Sequence, residues 1–182
     1  FCVSVNVAAS QLQREDFADR VIRILRRTEL PPELLQLEIN ESALASPSSN
    51  AARNLEILIE HGVRMAVDDF GSGEASVSRL TSVPLHAIKL DRSFLAGMDD
   101  DTNKQSVVRG VVSLAHAIKL RVAAGGIESA AMLRRVEAEK CDMAQGFYLS
   151  KPIPAAELSR ILRATEAHAA ANRSPIAAAA AK

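Results

Sequence analysis

Val63-Arg64-Met65-Ala66-Val67-Asp68-Asp69-Phe70 is an apolar run that ends on two adjacent carboxylates. Bounded by Gly62 and Gly71, a run of this length and composition reads as a buried strand. Two acids belong at the end of such a strand only where that end faces something polar. The same construction recurs along the chain. Asn6 closes Val3-Ser4-Val5-Asn6, Glu38 closes Leu35-Gln36-Leu37-Glu38, and Lys89 and Asp91 close Ala87-Ile88-Lys89-Leu90-Asp91. Glu128 follows Arg121-Val122-Ala123-Ala124-Gly125-Gly126-Ile127, and Gln145 opens a sixth segment, Ala144 to Lys151. Acids, amides and a lysine at the C-terminal ends of parallel strands mark one working face.

Helical patterns separate these segments. They run from about Glu15 to Arg27, ended by Pro31-Pro32, and from Pro47 and its neighbouring serines through Leu55, Leu58 and Ile59 to Gly62. A short helix is predicted near Ser76 to Thr81, and His86 to Phe94 reads as the fourth strand. Asn103 to Leu120 carries Val107, Val111, Leu114 and Ile118 on one stripe, which reads as core packing. Two more helices are expected near Ala130 to Glu139 and Ala155 to Ala164. Six β-then-α units in succession predict an α/β fold with a parallel sheet. A doubly wound sheet would gather polar residues at one switch point. A TIM-like (β/α) barrel gathers them from many strand ends, and here every strand contributes, so the barrel is preferred. A complete barrel takes eight strands and roughly 250 residues. The 182 residues hold six units, and the chain opens on Phe1 almost inside a strand. The barrel is therefore expected to be incomplete, with its first strands lying upstream of Phe1. Residues 1–166 are assigned to the barrel domain. The alanine-rich tail 167–182 has no core pattern and reads as a linker or frayed helix.

Composition narrows the function. The chain is 48% hydrophobic and 24% charged, as expected for one globular domain. Lys and Arg number 22, Asp and Glu 22, and this balance argues against an electrostatic nucleic-acid or membrane-surface binder. No stretch is long and apolar enough to span a bilayer. Cys2 and Cys141 form no CxxC pair and read as buried free thiols, which fits a reducing compartment. His61, His86, His116 and His168 lack metal-ligand spacing and read as structural or exposed.

Five segments, Leu37-Glu38-Ile39-Asn40-Glu41-Ser42, Asp68 to Gly73, Ile88 to Phe94, Gly125 to Ser129 and Gln145 to Pro152, resemble the motifs of the EAL domain in order. That family comprises bacterial phosphodiesterases of the second messenger cyclic di-GMP. The resemblance runs from about Val3 to Ile161. It implies a two-metal site, Mg²⁺ or Mn²⁺, with Asn6, Glu38, Asp68 and Asp69 as ligands. Such metals activate a water and neutralise a phosphate when hard oxygen donors hold them. The resemblance further implies Lys89, Asp69 and Gln145 as the catalytic set. Lys89 would orient the attacking water or a phosphate oxygen. Glu41 resembles the glutamate that braces the loop after Asp-Asp-Phe-Gly. That loop, about Gly71 to Ser78, would help order the metal site and a homodimer contact. Asp91 and Glu128 would support the pocket. An upstream sensory or cyclase domain, in a larger and even membrane-attached signalling protein, is the context the resemblance implies.

The departures carry equal weight. Where the family reads Ala-Glu-Gly-Val-Glu-Thr, this chain reads Ala124-Gly125-Gly126-Ile127-Glu128-Ser129. The lost glutamate is a metal-site carboxylate and proposed base, and losing a base costs about 10²–10⁴-fold in rate. The Glu-Ala-Leu signature lies upstream of the family's asparagine strand, outside this chain. Glu74 stands where the loop usually carries tyrosine. Binding of cyclic di-GMP with little or no hydrolysis is therefore expected. An active phosphodiesterase, or a regulatory domain that binds a protein partner, remains the alternative.

Overall fold

Six parallel strands pair in the order in which they occur in the sequence. They are β1 (Val3–Val7), β2 (Leu35–Asn40), β3 (Arg64–Phe70), β4 (Ala87–Leu90), β5 (Arg121–Ala124) and β6 (Met143–Ala144). A doubly wound sheet reverses its order at the switch point, and this one never does. The sheet is a curled half-barrel, as the sequence led us to expect. The computed structural model describes residues 2–45, 47–71, 80, 83–98 and 101–163. The turn at Ser72, Glu74, the predicted helix near Ser76 and the alanine-rich tail lie outside the described residues. Residues 1–149 form one unit and 150–182 a second, in which 155–163 are helical.

Each strand divides its side chains by parity. On β2, Leu35, Leu37 and Ile39 are buried on one face, while Gln36, Glu38 and Asn40 occupy the other. On β3, Met65 and Val67 are fully buried, and Arg64, Ala66 and Asp68 share the opposite face. The apolar faces pack on helices α1 (Ala9–Leu12), α2 (Phe17–Thr28), α4 (Ser49–Glu60), α6 (Thr102–Ala117) and α7 (Ala130–Ala138). Short helices α3 (Glu41–Ala45) and α5 (Arg92–Leu95) follow β2 and β4 directly. Burying one such Leu, Ile or Val contributes about 1.5–3 kcal/mol. Ile39, Leu58, Ile88 and Val122 lie at the centres of the two clusters that result.

Side-chain caps place the helices. Ser48 Oγ accepts from the Ala51 N–H, Asp101 Oδ1 from the Asn103 and Lys104 N–H groups, and Ser129 Oγ from the Met132 N–H. Asn54, buried on α4, ties α1 to α2. Its Nδ2 donates to Leu12 O and Arg14 O, and its Oδ1 accepts from the Ala18 N–H.

Three expectations need correction. Ala144 to Lys151 is not a strand. Pairing with β5 stops at Ala144, because Gly146 packs against the Ile127 backbone and the chain then turns at Phe147–Leu149. Gln145 therefore follows the last strand instead of opening it. The fourth strand, expected over His86 to Phe94, ends at Leu90, and Arg92–Leu95 is helical because Asp91 caps it, its Oδ1 accepting the Ser93 N–H at 2.7 Å. The helix α1 was not predicted, since four residues are too few to show a period.

Candidate active site

The C-terminal ends of β1 to β5 meet on the concave face of the sheet. Register sets the positions. Asn6 lies opposite Glu38, Asn40 opposite Asp68, and Lys89 opposite Ala123. Gly125 stands two residues beyond Ala123 and therefore on the same face as Lys89.

Lys89 joins three strands. Its Nζ donates to Glu38 Oε2 at 3.0 Å and lies 3.2 Å from Asp68 Oδ1. All three side chains are at most one-fifth exposed, so solvent screens the pairs poorly. Partial burial works against the ammonium charge, but Glu38 and Asp68 outweigh it and raise the Lys89 pKa above its ordinary value.

Asp69 reaches the site through a defect in the ladder. Val67 and Phe70 pair with Ile88 and Leu90, so β3 spends one residue more than β4 over this step. The bulge puts Asp69 in the left-handed region at φ 54°. Asp69 Oδ2 accepts from Asn40 Nδ2 at 3.3 Å, and the Asp69 N–H donates to Asp68 Oδ1 at 3.0 Å. The Asp69 pKa is raised, by burial first and then by the charges of Asp68 and Asp91, against the pull of Lys89 and Asn40. Left-handed backbone at a non-glycine residue costs of order 1–3 kcal/mol and concentrates at functional sites.

Glu41 stands where the sequence placed a brace. It is buried, and its Oε2 accepts the Gly71 N–H at 2.9 Å. Gly71 itself is obligatory. It sits at φ 91°, and a Cβ there would run into the Phe94 ring. Asp91 acts as a helix cap, and its Ser93 partner holds its pKa below the ordinary value. Gln145 is exposed on its side chain, while its backbone bridges Ala124 and Ile127. Glu128 is exposed, and among the described residues it makes no hydrogen bond or ion pair; Ser129, not Glu128, caps α7. Asn40 is a site residue that sequence reasoning passed over. The signal was its parity with Glu38 on β2.

At Gly125 the site has room. A Cβ there would meet Lys89 Cε at 3.5 Å and Leu90 O at 3.7 Å, ordinary contacts, and the backbone is not left-handed. An L side chain fits, and it would grow alongside Lys89. The donors Asn6, Glu38, Asp68 and Asp69 are all hard oxygens, which suits Mg²⁺ or Mn²⁺. Yet among the described residues no three carboxylates, histidines or cysteines converge as a metal-holding group. The donor set fits a divalent ion in kind, while Lys89 takes the cation's place between Glu38 and Asp68.

With this geometry in view, the matches to known proteins are specific. The family model for the EAL domain matches residues 1–152. The chain belongs to the EAL domain family. It is 35% identical over 162 residues to the cyclic di-GMP phosphodiesterase NbdA of Pseudomonas aeruginosa, covering 89% of this chain and 21% of that protein. It is 32% identical over 160 residues to the signaling protein YkoW of Bacillus subtilis, covering 88% of this chain and 20% of that protein. The chain thus spans about a fifth of the length of these curated relatives. Among solved structures it resembles the EAL domain of Mycobacterium smegmatis DcpA, with TM-score 0.82, 34% identity, and 90% of this chain and 73% of that one covered. It also resembles the PaMucR phosphodiesterase in complex with c-di-GMP, with TM-score 0.79, 32% identity, and 86% and 64% covered. Among the described residues no helix is long and apolar enough to cross a membrane.

Proposed function

We propose that this EAL domain binds cyclic di-GMP at the ends of β1 to β5 and hydrolyses it little or not at all. The observation that carries this reading is the space at Gly125. The lost carboxylate would lie beside Lys89, and nothing among the described residues replaces it. A bound Mg²⁺ or Mn²⁺, held by Asn6, Glu38, Asp68 and Asp69, would supply charge neutralisation and an activated water. The chain's own part is definite. Lys89, kept charged, offers a cation to a phosphate oxygen. Asp69, turned toward the site by the bulge, has its carboxylate held by Asn40 Nδ2. Glu41 keeps the end of β3 in place through the Gly71 N–H. Glu128 and Gln145 are exposed, and Asp91 caps α5, so these three frame the pocket and do not complete it.

The intact Glu38–Lys89–Asp68 cluster favours the second reading, an active phosphodiesterase producing the linear dinucleotide pGpG. A third reading makes the domain a protein-binding regulator without nucleotide. In all three the domain works in the cytoplasm as a homodimer, attached to a sensory or cyclase domain of a larger signalling protein. The test is calorimetric binding of cyclic di-GMP with and without Mg²⁺ or Mn²⁺, paired with chromatographic turnover for the chain and Gly125→Glu. Metal-dependent binding with turnover only in the variant is expected. Turnover by the unaltered chain would establish the second reading, and absence of binding the third.

A further inference from the structure

The opposite end of the same strands carries a second cluster of charge. A cavity of about 550 Å³ is lined by Glu33, Gly62, Arg64, Leu85, His86, Lys119 and Arg121. Arg64 and Arg121 are the first residues of β3 and β5, and His86 immediately precedes β4. By parity Arg64 shares the concave face with Asp68, four residues on and about 13 Å away along the strand. Three fixed cations therefore face one lining acid, in a chain whose charges balance overall at 22 against 22.

These cations are not neutralised by neighbours. Among the described residues no ion pair engages Arg64, Lys119 or Arg121. Asp142 lies close enough to Arg121 to feel its charge. Its carboxylate is already held by His116 Nε2 at 2.9 Å and the Val122 N–H at 2.7 Å. His86 Nδ1 accepts the Met65 N–H at 3.3 Å, which fixes the ring at the rim. Partial burial, then Arg64 and Arg121, push its pKa down, as a positive basin should. Lys119 adds a separate observation. It lies just past the end of α6 at φ 64°, a left-handed position where glycine is at ease and lysine is strained. Part of that lysine is explained by the helix C-terminus, which favours a cation. Its convergence with two arginines from other elements is not.

We propose that this basin is a binding site for a small phosphorylated anion carrying two or more negative charges. Two guanidinium forks match phosphate oxygens in pairs, and the ammonium adds a mobile point charge. The volume lies in the range of small-molecule sites. The cavity lies at the far ends of the strands from the nucleotide face, so the proposal stands whether or not cyclic di-GMP binds there.

The test is an NMR titration of the ¹⁵N-labelled chain, freed of metal on a chelating resin, with inorganic pyrophosphate in about 150 mM NaCl. Saturable shifts are expected at Gly62, Arg64, His86, Lys119 and Arg121, without matching shifts at Glu38, Asp68 or Lys89. Inorganic phosphate should bind about tenfold more weakly, and the Arg64→Gln/Arg121→Gln variant should lose about tenfold or more in pyrophosphate affinity. Lys119→Gly removes one charge without backbone strain and should weaken binding alone, which covers the case of a misfolded double variant. Shifts that do not saturate, that scatter over all surface cations, or that persist unchanged in Lys119→Gly would overturn the proposal. So would tighter binding of a short polyglutamate peptide than of pyrophosphate, which would make the basin a contact for an acidic protein segment.

Discussion

The third and fifth strands end on the same face with β4 between them, and they end differently. β3 runs into Asp68 and Asp69, takes up a bulge, bends Asp69 into the left-handed region and is tied down by Glu41 through Gly71. β5 runs into Gly125, buried and without a side chain, in a backbone conformation that any residue adopts. Strain and buried charge persist where a function holds them in place. The β3 end holds both strain and partly buried charge, and the β5 end keeps an ordinary backbone with no side chain on it. On the reading proposed above, the domain keeps the parts that would bind a charged ligand and lacks one that would react with it.

The sharpest way to break this comparison is to fill the empty end. Gly125→Glu should raise turnover of cyclic di-GMP about 10²–10⁴-fold with Mg²⁺ or Mn²⁺, measured as released pGpG. If the variant folds and binds but turnover does not rise, Gly125 is not the seat of the defect. Removing the ammonium from the intact end comes next. Lys89→Met leaves Glu38 and Asp68 facing each other partly buried, and should cost about 1–3 kcal/mol in metal-free urea unfolding. Added Mg²⁺ should restore part of that loss if the two carboxylates belong to a metal site. Gly71→Ala forces a Cβ toward the Phe94 ring at a positive φ, and should cost about 2 kcal/mol by the same measurement. Asp69→Gly should do the reverse, stabilising the metal-free chain by about 1 kcal/mol while weakening metal binding. An Asp69→Gly chain that is less stable would show that Asp69 is not strained.

The smallest effect is one of sign, in the pH dependence of stability. The pKa of Asp69 is raised in the folded chain, so the fold gains from its protonated form. That contribution is present below the ordinary value of 3.8 and is lost as pH rises above it. Asp91 is the opposite case. Its lowered pKa gives stability that is present above 3.8 and lost as pH falls below it. Asp69→Asn should therefore flatten the urea-midpoint profile just above pH 3.8, and Asp91→Asn just below it.

The strands, their parallel order and the acidic face were legible because period-two patterning with polar ends leaves few alternatives. Glu38, Asp68 and Lys89 could be named from the sequence as members of one site. That the lysine bridges both carboxylates could not be, because register between β2, β3 and β4 depends on a bulge whose extra residue is an ordinary aspartate. Asn40 was missed for the same reason. Its partner Asp69 comes within reach only once the backbone turns left-handed. The sixth strand was overread, since Phe147, Tyr148 and Leu149 look like strand residues but occupy a turn with exposed side chains. The basic basin was invisible because its residues are scattered through the chain and converge only when strand starts line up.

The strand order bears on how the chain acquires its structure. Every sheet pairing joins a strand to the next one along the chain, across separations from 20 residues (Ala123 to Met143) to 34 (Ala87 to Arg121). Among the described residues no strand waits for a partner more than one unit away. Ordering these medium-range closures is less costly in loop entropy than pairing distant segments. A nascent chain can therefore lay down one βα unit after another as it leaves the ribosome, each new strand templated by the one before it. Assembly is vectorial, with the site completed only when the ends of β1 to β5 stand side by side.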